Sequence, residues 1–316
     1  MATATHKPRI KPPALRSGDK VGIVAPASNL KPELLEAGCA ALRAAGYEPL
    51  YSESILDRDL YFAGSVERRS RELEEMFVRD DIRAIVCARG GYGANYLLRA
   101  IDVKKIAAHP KIFVGYSDLT TLLTWFADKT GLITFHGPMM AKDFSLAGGV
   151  DLPSWQSALG GAAAWEIGAG SGARPLLAGV GEGILYGGCL SLLVAALGTP
   201  YDIQTVGTIL FIEDLAAKPY QIDRMLMQLK LAGKFNAVRG IVFGEMTDCR
   251  QSPDQDYTLE EVVLRVVGDL GIPVASGLRS GHVSRANITL PIGVRAHLEV
   301  GNEVKLTILE AATERQ

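Results

Sequence analysis

The chain has 316 residues, 48% hydrophobic and 22% charged, with a formal net charge of −2. That balance suits a globular protein of one large or two modest domains, and it excludes a whole-chain basic footprint for nucleic acid. No apolar stretch approaches the ~20 residues of a membrane-spanning helix.

The first twenty residues mix bases (Lys7, Arg9, Lys11, Arg16, Lys20) with prolines and lack the apolar segment of a secretory signal. Residues 1–16 are therefore read as an N-terminal arm, and the protein as cytoplasmic. Lys20-Val-Gly-Ile-Val-Ala25 reads as a strand entering the turn Pro26-Ala-Ser-Asn29. Residues 32–45 carry a helical pattern with Leu34, Leu35 and Leu42, and a second strand is expected near 47–51. The charged stretch 66–78 reads as a helix with Leu73, Met76 and Phe77 as its apolar stripe. Ile82–Cys87 is a third strand, followed by the turn Arg89-Gly-Gly-Tyr-Gly93 and a helix. Lys111-Ile-Phe-Val114 is a fourth, with a helix over about 118–129 behind it, and Leu132–Phe135 is a fifth. Strands alternating with helices imply βαβ units and a mainly parallel sheet over residues 17–145. In such sheets ligands sit beyond the carboxyl ends of the strands.

Residues 146–180, rich in Gly, Ala and Ser with weak periodicity, read as a connection. Over 181–316, strands are expected at about 183–186, 208–213, 239–244, 287–290 and 297–307, with helices at 189–197, 220–231 and 257–269. This mix indicates an α+β or barrel-like second domain.

Several residues could carry chemistry. Ser117 follows a buried-type strand and precedes a helix, the arrangement of a nucleophile elbow. The usual second glycine of that elbow is replaced by Leu119. From this segment alone, a helix N-cap at Ser117 or Asp118 is the favoured reading. Arg89–Gly93 can bring backbone N–H groups close to a ligand, but it lacks the glycine and Lys-Ser/Thr spacing of phosphate loops, and a tight connection explains it too. Thr208-Ile-Leu-Phe-Ile-Glu213-Asp214 is an apolar strand ending in two carboxylates, which when buried need partners. Among the histidines, His6 lies in the arm, His109 in a polar loop and His297 in a strand-like alternation. His136 and His282 sit in glycine-flanked turns, where function concentrates. Cys39, Cys87, Cys189 and Cys249 are scattered, with neither a C-x-x-C pair nor histidines at zinc spacing, so no metal is expected and the thiols read as reduced. A serine, an acid and a histidine occur in the chain order used by serine hydrolases on α/β folds. A non-catalytic α/β protein whose Gly-rich turns hold a small ligand is the competing reading.

The segments Gly18-Asp-Lys-Val-Gly-Ile-Val-Ala-Pro-Ala-Ser28, Ala88-Arg-Gly-Gly-Tyr-Gly93, Val114-Gly-Tyr-Ser-Asp118 and Thr134-Phe-His-Gly-Pro138 recur in order in a known family. So do Gly187-Gly-Cys-Leu190, Phe211-Ile-Glu-Asp214 with Pro219-Tyr-Gln-Ile-Asp-Arg-Met225, and Gly281-His282. Over residues 14–307 the chain resembles the LD-carboxypeptidases, also called muramoyltetrapeptide carboxypeptidases. The resemblance implies a Rossmann-like nucleophile domain and a smaller β-rich domain carrying the acid and the histidine. It implies a triad of Ser117, Glu213 (not Asp214) and His282 (not His136), with no cofactor. On that basis the Asp118 and Gly91 N–H groups form an oxyanion hole; Arg89, beside the Gly-rich turn, is by its chemistry a candidate for the substrate carboxylate, with a surface or structural arginine as the competing reading, and Tyr92 is a further candidate substrate contact. The implied substrate is a murein tetrapeptide cut at the L,D-bond before terminal D-Ala in cell-wall recycling, and dimers are common in the family. Microcin-immunity-type relatives, which cleave peptidyl or aminoacyl-nucleotide amides, are the alternative within it.

Overall fold

The computed structural model describes residues 8–315, so His6 and the first part of the arm lie outside the described residues. In chain order it contains β1 (Lys20–Val24), α1 (Pro32–Ala44), β2 (Glu48–Leu50), α2 (Val66–Val78), β3 (Ile82–Cys87), α3 (Val103–Ala108), β4 (Ile112–Gly115), α4 (Thr120–Thr130) and β5 (Thr134–His136). There follow α5 (Leu152–Leu159), β6 (Trp165–Ile167), β7 (Arg174–Leu177), β8 (Gly179–Cys189), α6 (Leu190–Ala195), β9 (Thr208–Glu213), α7 (Pro219–Leu231), β10 (Gly240–Gly244) and α8 (Leu259–Val267). Four strands complete the chain: β11 (Val274–Leu278), β12 (Leu290–Ile292), β13 (Arg295–Val300) and β14 (Val304–Ile308).

The chain divides into two compact units, each with its own sheet. The first takes residues 8–163, 285–293 and 311–315 of those described. Its six strands run in the order β12-β5-β4-β3-β1-β2, with β1 to β5 parallel and β12 antiparallel at the edge. The inner strands are short apolar runs buried almost throughout, as in Ile112–Gly115 and Ile82–Cys87. A parallel sheet covered on both faces requires that pattern. Helix signals agree: Ser65 accepts from Arg68 N at the start of α2, and α4 stops at Gly131 with φ +83°. Phe77 of α2, Phe113 of β4 and Phe126 of α4 pack with ring centroids 5.9, 5.8 and 5.3 Å apart. Burying one such ring contributes about 1.5–3 kcal/mol.

The second unit takes residues 164–284 and 294–310. Its eight strands run β6-β14-β13-β8-β9-β10-β11-β7, with a parallel centre (β8 to β11) and antiparallel flanks. A capping box opens α8: Glu261 N donates to Thr258 Oγ1 and Thr258 N donates to Glu261 Oε2. The parallel-sheet N-terminal region and the second sheet domain expected from the sequence are both present.

Details depart from the sequence reading. Residues 146–180 hold α5, β6, β7 and the first residues of β8 rather than a bare link. The strand expected at 287–290 lies at Leu290–Ile292 and joins the first sheet. The single strand expected over 297–307 is a β13–β14 hairpin, and Val274–Leu278 adds a strand its Ser-Gly pair had hidden. The segment after Gly93 is a short 3-10 helix, Ala94–Arg99. Among the described residues, no helix is long and apolar enough to cross a membrane.

Candidate active site

In the first unit, β4 delivers the chain through buried Tyr116 into Ser117 and Asp118, and α4 follows. Ser117 has φ +63°, a left-handed conformation that a residue with a Cβ holds only against strain. Such strain lifts the side chain out of a strand-to-helix turn, as a nucleophile elbow does. The helix N-terminus behind it favours negative charge. Among the described residues the Ser117 hydroxyl makes no hydrogen bond. A side chain at position 90 cannot be accommodated: a Cβ there would lie 2.8 Å from Ser117 Cβ and 3.0 Å from its Oγ. The Gly-rich turn after β3 therefore lies directly against the serine.

Ser28, in the turn after β1, fixes that Gly-rich turn. Its N–H donates to the Gly90 carbonyl at 3.2 Å, and Tyr92 N donates to its Oγ at 3.0 Å. A trans peptide points its C=O and N–H to opposite sides, so Gly91 N–H is directed away from Ser28. Neither Gly91 N–H nor Asp118 N–H is hydrogen-bonded among the described residues. Arg89 is exposed and its Nη1 donates to the Asn29 carbonyl at 2.9 Å. Tyr92 is 43% exposed and belongs to an aromatic cluster, with ring centroids 5.9 Å from Tyr61, 6.0 Å from Phe62 and 6.1 Å from Tyr96. The buried Asp118 carboxylate accepts from Ala94 N at 2.7 Å, and burial pushes it up to about 6.

In the second unit, β9 ends on Glu213, which is buried. Its Oε2 lies 2.7 Å from His282 Nδ1 and accepts from His282 N at 3.1 Å. An ionised carboxylate only accepts, so the pair places the imidazole proton on Nδ1 and leaves Nε2 basic. Gly281 has φ +90°, and a Cβ there would come within 2.6 Å of Glu213 Cδ. The loop is tied twice more: Thr247 Oγ1 donates to the His282 carbonyl at 2.5 Å, and Ser284 N donates to Glu245 Oε2 at 2.8 Å. Asp214 does a different job, accepting from Ser191 N and Leu215 N, and burial raises its pKa.

The remaining candidates have other surroundings. His136 is buried in β5 opposite Leu290, with its ring 5.8 Å from that of Tyr116. His109 caps the end of α3, and His297 sits in β13 opposite Glu182 and Thr307. All four cysteines are free and buried, and burial raises the thiol pKa of Cys87 and Cys189 and pushes that of Cys249 up to about 11. Among the described residues no group of three metal-binding side chains is assembled.

Both halves of the chain match family models: residues 21–137 the LD-carboxypeptidase N-terminal domain, and residues 182–298 the LD-carboxypeptidase C-terminal domain. The chain belongs to the LD-carboxypeptidase family. A probable murein peptide carboxypeptidase of Bacillus subtilis is 38% identical over 304 residues, covering 95% of this chain and 94% of that one. The solved muramoyltetrapeptide carboxypeptidase of Oxalobacter formigenes superposes with a TM-score of 0.84 at 30% identity, covering 94% and 99%. The microcin C7 self-immunity protein of Escherichia coli is 29% identical over 336 residues, covering 95% and 96%. A solved complex of MccF with glutamyl sulfamoyl guanosine superposes with a TM-score of 0.89 at 25% identity, covering 96% and 99%. The glycine turns, the strained serine and the Glu–His pair thus belong to an LD-carboxypeptidase fold.

Ser28, Glu245 and Thr247 are functional candidates that sequence reasoning left without roles. Ser28 stood inside a matched segment, which was a usable signal. Glu245 and Thr247 gave none, since only folding brings them to the His282 loop.

Proposed function

We propose that this LD-carboxypeptidase is a serine peptidase that releases terminal D-Ala from murein tetrapeptides during cell-wall recycling. The observation that carries the reading is the buried Glu213–His282 pair, which leaves His282 Nε2 as a base. His282 takes the Ser117 proton as Oγ bonds to the carbonyl carbon of the penultimate residue. Glu213 orients the ring and stabilises imidazolium. The oxyanion is held by the Asp118 and Gly91 N–H groups, and losing one such donor costs about 100- to 1,000-fold in rate. His282 then protonates the departing D-Ala amine, and water hydrolyses the acyl-enzyme. The relatives' names support a peptidase acting on murein peptide. A cytoplasmic location and a homodimer belong to the same reading, as does a substrate-facing role for Arg89 and Tyr92.

The test offers purified protein a murein tetrapeptide and, separately, an aminoacyl sulfamoyl adenylate. D-Ala release from the tetrapeptide by the wild type, lost in Ser117→Ala with folding unchanged, is the expected result. The likeness to MccF favours the second arm as the alternative. Turnover of the adenylate alone overturns the murein substrate, and full activity of Ser117→Ala overturns the mechanism.

A further inference from the structure

Within the first unit, two charged side chains converge on one peptide group of the Gly-rich turn. Arg69 of α2 is buried, and its Nη1 donates to the Gly93 carbonyl at 2.9 Å and to the Pro26 carbonyl at 2.6 Å. Asp118 Oδ2 accepts from Ala94 N at 2.7 Å. The Gly93 carbonyl and the Ala94 N–H are opposite ends of the same planar unit. Rotating it breaks two charge-assisted hydrogen bonds at once. Asp118 is also the residue after Ser117, so the grip ties the serine's own turn to the turn whose Gly90 abuts it.

We propose that Asp118 and Arg69 are positioning residues, which grip both sides of the Gly93–Ala94 peptide and thereby hold the Gly91 N–H in place for the oxyanion formed at Ser117. This rests on Ser117 being the nucleophile. The grip is strongest with an anionic Asp118, since a charged acceptor bonds more tightly than a neutral one, and burial pushes its pKa up to about 6. Arg69 is the charge that faces it, and Arg68, Asp59 and Glu67 act in turn on Arg69. The turn therefore loosens as pH falls through about 6.

The test follows phosphonylation of Ser117 in the full chain by a fluorophosphonate, read by mass spectrometry, with the limiting rate and half-saturation separated. Asp118→Ala lowers the limiting rate about 100-fold and leaves half-saturation within about 3-fold. Asp118→Asn keeps an acceptor oxygen and stays within about 10-fold above neutral pH. The acid limb of the wild type contains the ionisation of Asp118, and that of Asp118→Asn lacks it. A limiting rate little changed in Asp118→Ala, or an acid limb in Asp118→Asn identical to that of the wild type, overturns the proposal. If Asp118→Ala does not fold, the acid limb of Asp118→Asn decides. A wild type unlabelled at Ser117 sinks the nucleophile reading itself, whereas a labelled wild type with unaffected variants sinks the grip alone.

Discussion

The two sets of candidate residues, one in each compact unit, are held by different physics. Around Ser117 the backbone does most of the holding: a left-handed φ of +63°, a glycine without room for a Cβ, and N–H and C=O groups clasped by Ser28. Around His282 side chains do it, through the carboxylate of Glu213, the hydroxyl of Thr247 and the carboxylate of Glu245 that holds Ser284. A nucleophile must be presented at a fixed angle, which rigid backbone supplies. A base must change charge during turnover, and a buried carboxylate lowers the cost of that change.

The comparison breaks most sharply at Glu213. Glu213→Gln keeps the shape and removes the charge. The amide can present its NH₂ to the ring, favouring the wrong tautomer, so kcat is expected to fall about 1,000- to 10,000-fold. The thermal unfolding transition should stay cooperative. Activity within 10-fold of wild type would make the pair structural. On the backbone side, Gly90→Ala pushes a methyl to 2.8 Å from Ser117 Cβ. The two turns must part, and the donor at Gly91 moves with them. A loss of about 100-fold in kcat is expected, with Glu213 and His282 untouched. Normal kinetics in that variant would show that the close approach of the turns has no bearing on catalysis.

The legibility of the two sets follows the same division. Backbone devices leave local marks. The strand–turn–helix pattern at Ile112–Thr120, and glycines where a Cβ cannot fit, can be read from a few consecutive residues. The first sheet was legible for the same reason, as its buried strands are short apolar runs between helical patterns. Side-chain devices leave no local mark. Glu213 and His282 are 69 positions apart, and nothing in the sequence around either distinguishes Glu213 from Asp214 or His282 from His136. Resemblance to the family chose between them, and the geometry shows what each does: Glu213 meets the imidazole, while Asp214 accepts from two backbone N–H groups. The C-terminal β11 and the return of β12 to the first sheet were illegible because long-range pairing, rather than local propensity, makes them strands.

The smallest expected effect sharpens how much of the holding on the His282 side is redundant. Thr247 is one of several ties on that loop, donating its hydroxyl to the His282 carbonyl at 2.5 Å. Thr247→Val keeps the volume and the branched Cβ but strips the donor from a partly buried carbonyl. A hydrogen bond of this kind is worth about 1 kcal/mol net, which sets the expected loss of stability in urea denaturation. Because Glu213 still holds both His282 N and Nδ1, kcat should fall only about 2- to 5-fold, within what a loss of that size allows. A much larger fall in kcat with that same small loss of stability would mean the carbonyl tie sets the ring's angle, and that the acid alone does not position the base.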